Sequence, residues 1–180
     1  MSQTAVSPTT GSPTTAPITF AQFAQRAHDL LAADPGPAGR EQVRLLLETF
    51  LLTPEAASLV GDDQPQRRVL HEDPLGFEIL GHVFREARRT TPHDHGPSWA
   101  IYGQVSGESI MDEWTIVEPA TAEQGGKVRL SHTYSLTPGI AHLYNERVLH
   151  APRRDAPAKL IRIEGPGVNS TKRLQWEVIA

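Results

Sequence analysis

The sequence predicts an all-β barrel or sandwich standing behind a short N-terminal helical segment. Three observations carry this. From about Arg67 onward, short apolar segments alternate with Gly, Pro and Asp, the pattern of successive strands and turns. No helix of about 10 residues or more fits between those segments, which argues against a doubly wound α/β sheet. Before them, apolar residues recur at helical rather than strand spacing.

Residues 1 to 17, MSQTAVSPTTGSPTTAP, contain few groups able to join a core and several turn formers, and read as a disordered tail. From Ile18, the positions Phe20, Phe23, Ala27, Leu30 and Leu31 share a helical face, with Thr19 as the capping residue. Ala38 to Leu52 presents Val43, Leu46, Leu47 and Phe50 on a second such face, and Thr53-Pro54-Glu55 opens a further short helix. Residues 18–62 are therefore expected to be a helical segment packed on the main domain, 63–180. Within that domain the expected strands are Phe77 to Phe84, Ser98 to Val105, Glu113 to Val117, Val128 to Tyr134, Ala158 to Glu164 and Leu174 to Ile179.

The 180 residues carry a net charge of -4 and 21% charged side chains, an ordinary compact-domain composition with no basic footprint for nucleic acid. The sequence has neither a bilayer-length apolar run nor a basic segment followed by an apolar stretch, so no membrane partner and a cytoplasmic location are the expectation. The absence of cysteine excludes disulfides, thiolate metal ligands and a cysteine nucleophile.

The chemistry is concentrated in His93-Asp94-His95. On a strand, the period of two sends both imidazoles to one face and Asp94 to the other. A third imidazole, His142, can arrive from a neighbouring strand after the Pro138-Gly139 turn, giving three neutral nitrogen ligands with positions left open. His28, His71 and His150 lack any spacing that marks a ligand, and His82 sits on an apolar strand without a visible partner.

The stretch Pro92-His93-Asp94-His95-Gly96 through Gly103 to Gly107 resembles the first motif of the cupin superfamily. Pro138-Gly139-Ile140-Ala141-His142-Leu143-Tyr144-Asn145 resembles the second. The resemblance spans about residues 67 to 167 and implies the cupin double-stranded β-helix, a jelly-roll barrel, with His93, His95 and His142 holding one divalent metal. The glutamate that many cupins supply four or five residues after the second histidine is replaced by Trp99 and Ala100, and Glu108 lies too far along to stand in for it. An all-imidazole set leaves a ferrous centre at charge +2, which favours an anionic donor such as a thiolate. In this the chain is similar to cysteine dioxygenase and its bacterial thiol dioxygenase relatives. That likeness implies Fe(II), a small thiol, carboxylated or not, and O2 as partners, and a sulfinate product. Spacing alone does not separate iron from zinc, nickel or manganese.

The same family places a carboxylate-binding arginine on an early strand, matched by Arg67 with Arg68 as the adjacent alternative. Its Ser-x-His-x-Tyr set is absent: the matched stretch is Leu160-Ile161-Arg162-Ile163-Glu164, so Arg162 and Glu164, two apart on one strand face, become the candidate catalytic pair. Trp99, Tyr102, His132 and Tyr134 are further candidates for lining the substrate pocket. Asn145 is read as orienting a loop, and a homodimer is compatible with a small barrel. Other metal-cupin reactions (isomerisation, hydrolysis or ring-cleaving dioxygenation) and a non-catalytic binding cupin are the alternatives to thiol oxidation.

Overall fold

The computed structural model describes residues 17–121, 123–168 and 174–180; residues 1–16 of the expected tail lie outside them. Helix α1 (Phe20–Ala33) begins with a capping box: the Gln22 amide donates to Thr19 Oγ1 at 3.3 Å, and the Thr19 amide to Gln22 Oε1 at 3.0 Å. Helix α2 (Pro37–Leu51) follows, then α3 (Pro54–Leu59), whose Thr53 accepts from the Ala56 amide. The apolar stripes meet where Phe23 stacks on Phe50 with ring centroids 4.9 Å apart.

The strands are β1 (Arg67–Glu72), β2 (Glu78–Phe84), β3 (Arg88–Arg89), β4 (Ala100–Ser106), β5 (Ser109–Glu118), β6 (Gly126–Leu136), β7 (Ala141–Tyr144), β8 (His150–Arg154), β9 (Ala158–Glu164) and β10 (Trp176–Val178). They form two five-stranded sheets, ordered β1-β2-β9-β4-β7 and β10-β6-β5-β8-β3. Every pairing is antiparallel except β10 with β6. This interleaving, in which β2 and β4 both flank β9 and β5 separates β6 from β8, is the jelly roll of the cupin double-stranded β-helix, with the helices on its N-terminal side.

Alternation along the first sheet decides what faces what. Ile79, Val83, Ile101, Ile161 and Ile163 pack with Phe23, Val43, Leu47 and Phe50 in a core beneath the helices. Their neighbours Ala100, Tyr102 and Leu160 point the other way and pack with Met111, Leu136 and Tyr144 across the barrel. Covered on both faces, β2 and β4 are mostly apolar along their length rather than polar and apolar in turn. Helix α2 also seals the edge strand β7: the Ala141 amide donates to Glu48 Oε1 (3.0 Å), and Arg44 Nη1 donates to the Ala141 carbonyl (3.1 Å).

Candidate metal centre

Three buried histidines, His93, His95 and His150, bring one ligand atom each to within 4.8 Å of one another inside the barrel. His93 and His95 come from the loop leading into β4, whereas His150 opens β8. A two-way backbone bridge joins the two segments: the His93 amide donates to the His150 carbonyl (3.1 Å) and the His150 amide to the His93 carbonyl (3.0 Å). His93 Nδ1 donates to the Thr91 carbonyl (2.9 Å) and His150 Nδ1 to the Val148 carbonyl (3.0 Å), which leaves each Nε2 with its lone pair. Burial, and then His93 and His95 beside it, hold His150 well below the ordinary histidine pKa, so it stays in the neutral form that ligates.

The arrangement fits a metal. With bonds of about 2.1 Å, imidazole nitrogens at octahedral or tetrahedral angles stand about 3.0 to 3.4 Å apart, and His95 Nε2 lies 3.2 Å from His150 Nε2. The Tyr102 hydroxyl is 3.3 Å from the former and 3.4 Å from the latter. No carboxylate belongs to the cluster, and no preference among iron, zinc, nickel and manganese follows from the three nitrogens.

The sequence reading named His142 as the third ligand, whereas the imidazole that clusters with His93 and His95 is that of His150. His142 lies on β7 directly opposite Tyr102, but its Nε2 meets Glu113 Oε1 at 3.3 Å. Tyr144, two residues further along β7, stacks on His150 with centroids 4.1 Å apart and lies 4.8 Å from His142. A tyrosine ring therefore stands between His142 and the cluster. His132 and Tyr134 belong with His142: Tyr134 donates to Glu113 Oε1 (2.8 Å), lies 2.6 Å from the Tyr144 hydroxyl, and His132 Nε2 is 3.6 Å from Glu113 Oε2. Burial raises both tyrosines above the usual phenol range, keeping them protonated. Trp99 is also displaced from its expected place: it packs in the core beneath the helices, under the Arg40 guanidinium, not in the barrel interior.

Beside the cluster is a cavity of about 380 Å³, lined by His93 and Tyr102 and by Arg67, His82, Arg88, Arg154 and Arg162. Arg162 lies over the Tyr102 ring (4.5 Å), within 3.5 Å of His95 Nδ1, and its Nη2 pairs with Glu164 at 2.8 Å. The two candidate catalytic residues are thus a partly buried ion pair beside the histidines. Arg67 stands at the mouth, 3.1 Å from Glu78 and 3.8 Å from Glu164, while Arg68 turns away to donate to the Leu59 carbonyl. Burial and the surrounding arginines push His82 down to about 3. His150 in the cluster, and His82, Arg88 and Arg154 in the cavity wall, are residues that the sequence reading did not select.

Among the described residues, no helix is long and apolar enough to cross a membrane. No protein-family profile matches the chain, and no curated protein matches it. Among solved structures, a cupin superfamily protein from Desulfitobacterium hafniense is 14% identical, over 61% of this chain and 85% of its own, with a TM-score of 0.43. A cupin-2 domain protein from Shewanella frigidimarina is 12% identical, over 64% and 95%, at 0.44. A Klebsiella pneumoniae protein with a double-stranded β-helix domain is 13% identical, over 65% and 83%, at 0.45. The fold assignment itself rests on the strand order described above.

Proposed function

We propose that this protein is a metal-dependent cupin enzyme that acts on a small molecule bound in the cavity beside His93, His95 and His150. The observation that carries this reading is the convergence of three buried imidazoles next to a cavity of about 380 Å³ lined by four arginines. A divalent metal bound there supplies Lewis acidity and open positions for a substrate donor. The remaining roles belong to the chain. The Tyr102 hydroxyl, 3.3 Å from His95 Nε2, is placed to give or hold a proton on a group bound at the centre. Arg162, anchored by Glu164 and lying over the Tyr102 ring, fixes that tyrosine's position and adds positive charge beside the substrate. Hydrolysis, isomerisation and ring-cleaving dioxygenation all fall within this description. A non-catalytic binding cupin is distinguished by tight ligand binding without turnover.

A narrower reading is thiol dioxygenation (RSH + O2 → RSO2H), with Fe(II) as the metal for that chemistry; the absence of a carboxylate from the cluster supports an anionic thiolate donor without selecting the metal. Three neutral ligands leave the full charge of the metal to attract a thiolate. Anaerobic loading with Fe(II), admission of O2 over a panel of mercaptopropionate, mercaptolactate, cysteine and cysteamine, and mass spectrometry of the products test it. A product heavier by two oxygen atoms supports thiol oxidation. Turnover of a non-thiol substrate with every thiol unchanged assigns the protein to one of the other metal-cupin reactions.

A further inference from the structure

The four arginines of the cavity fall into two kinds. Arg67 and Arg162 already have acids, Glu78 and Glu164. Arg88 and Arg154 have none among the described residues, although they are directly opposite one another across the β3–β8 pair. Both guanidinium groups lie over the same ring, that of Phe84, Arg154 at 4.2 Å and Arg88 at 5.8 Å. Arg154 is 3% exposed, and its Nε has no hydrogen-bond partner. The next pair on the same two strands, Arg89 opposite Arg153, differs in being supplied with an acid, Asp155, 3.3 Å from Arg89.

Like charges facing each other across two strands are destabilising, and a buried guanidinium without an anion is more so. The fold keeps this arrangement at the wall of a cavity that His93, one of the three clustered histidines, also lines. His82, stacked on the same Phe84 ring at 5.7 Å, is held neutral there and its buried Nε2 has no partner either. Burial lowers Arg154 to about 10, which still leaves it charged at neutral pH.

We propose that Arg154, together with Arg88, binds an oxyanion at one end of a ligand whose other end reaches the three-histidine centre, so that the substrate is a small molecule with two separated anionic groups. This rests on the reading of His93, His95 and His150 as a metal centre. It moves substrate recognition from Arg67, whose charge Glu78 and Glu164 already offset, to a pair of arginines that the sequence does not advertise. A dicarboxylate fits the description, and so does a thiolate bearing a carboxylate. A neutral molecule leaves the Arg88–Arg154 repulsion uncompensated.

Calorimetric titration with malonate, succinate and glutarate, each against the monoacid of equal carbon number, tests this at fixed ionic strength on the Zn(II)-loaded and the metal-free protein. We expect one dicarboxylate to bind the loaded protein about tenfold or more tighter than its monoacid, as charge-assisted hydrogen bonds at the second carboxylate require. Arg154→Gln and Arg88→Gln should each reduce that preference while leaving the metal content intact. Arg154→Lys, which keeps the charge but not the planar fork, should reduce it too and serves if the glutamine variant does not fold. Equal binding of diacids and monoacids, or a preference that survives in all these variants, overturns the proposal. If zinc does not bind, the metal reading fails separately, and arginine-dependent dicarboxylate binding by the metal-free protein still decides the anion site.

Discussion

His93 and His150 are hydrogen-bonded to each other through both backbone amides, and their imidazole centroids are 4.7 Å apart. Two of the three candidate ligands are thus held in register by the β-structure, not by a metal. Metal removal with a chelator should leave the far-ultraviolet circular dichroism spectrum unchanged while lowering the melting temperature. A ligand at a thousandfold excess over its dissociation constant stabilises by about 4 kcal/mol. Loss of β-structure on chelation would show instead that the metal builds the site.

His82 makes the fold acid-sensitive. Its folded-state pKa is depressed to about 3 from the ordinary histidine value of 6.5, so above pH 6.5 both states are neutral and its contribution is complete. As pH falls, the unfolded chain takes a proton that the folded one refuses, and stability drops by about 1.4 kcal/mol per pH unit, or about 2 kcal/mol between pH 6.5 and 5. The drop ends near the folded-state value. Urea denaturation at pH 7 and pH 5 should show a smaller difference for His82→Gln than for the wild type; an identical difference would contradict this assignment.

Gly103 admits helix α2 to the sheet. A Cβ there would lie 2.7 Å from Leu47 Cδ2 and 2.9 Å from Leu51 Cδ1, two side chains already packed against β4. Gly103→Ala should destabilise the protein by about 1 to 3 kcal/mol through overpacking. Because the clash is on the helix side, metal content should be unaffected, as denaturant melts and metal analysis on the same sample will show.

Tyr102→Phe removes the hydroxyl nearest the histidine nitrogens but keeps the ring beneath Arg162. Once a substrate is in hand, the variant should load metal normally and lose turnover by about a hundredfold, the lower range for a positioned proton donor. A kcat equal to that of the wild type would leave Tyr102 a packing residue.

Much of this architecture was legible in the sequence, and the failures have physical reasons. Helical and strand periodicity located the three helices and six of the ten described strands, β2, β4, β5, β6, β9 and β10, and His93-x-His95 marked two members of the cluster. His150 was missed because β8, HAPRR, carries a proline and two arginines and shows no apolar alternation, so it reads as a turn. The motif around Pro138-Gly139 meanwhile directed attention to His142, whose strand does enter the barrel but beyond Tyr144. Trp99 and Tyr102 are three residues apart on one extended segment, so strand alternation puts them on opposite faces, Trp99 beneath the helices and Tyr102 in the barrel. Arg88 and Arg154 are 66 positions apart and meet only through the β3–β8 register, which no local pattern reveals.

The identity of the third ligand is the central claim, and metal stoichiometry in paired variants tests it most directly. Wild type, His150→Ala and His142→Ala should be loaded anaerobically with Fe(II) and separately with Zn(II), desalted, and assayed for bound metal per chain, with circular dichroism confirming the fold of each. The account predicts one equivalent for the wild type, close to one for His142→Ala, and a small fraction for His150→Ala. Full occupancy in His150→Ala together with loss in His142→Ala would contradict it.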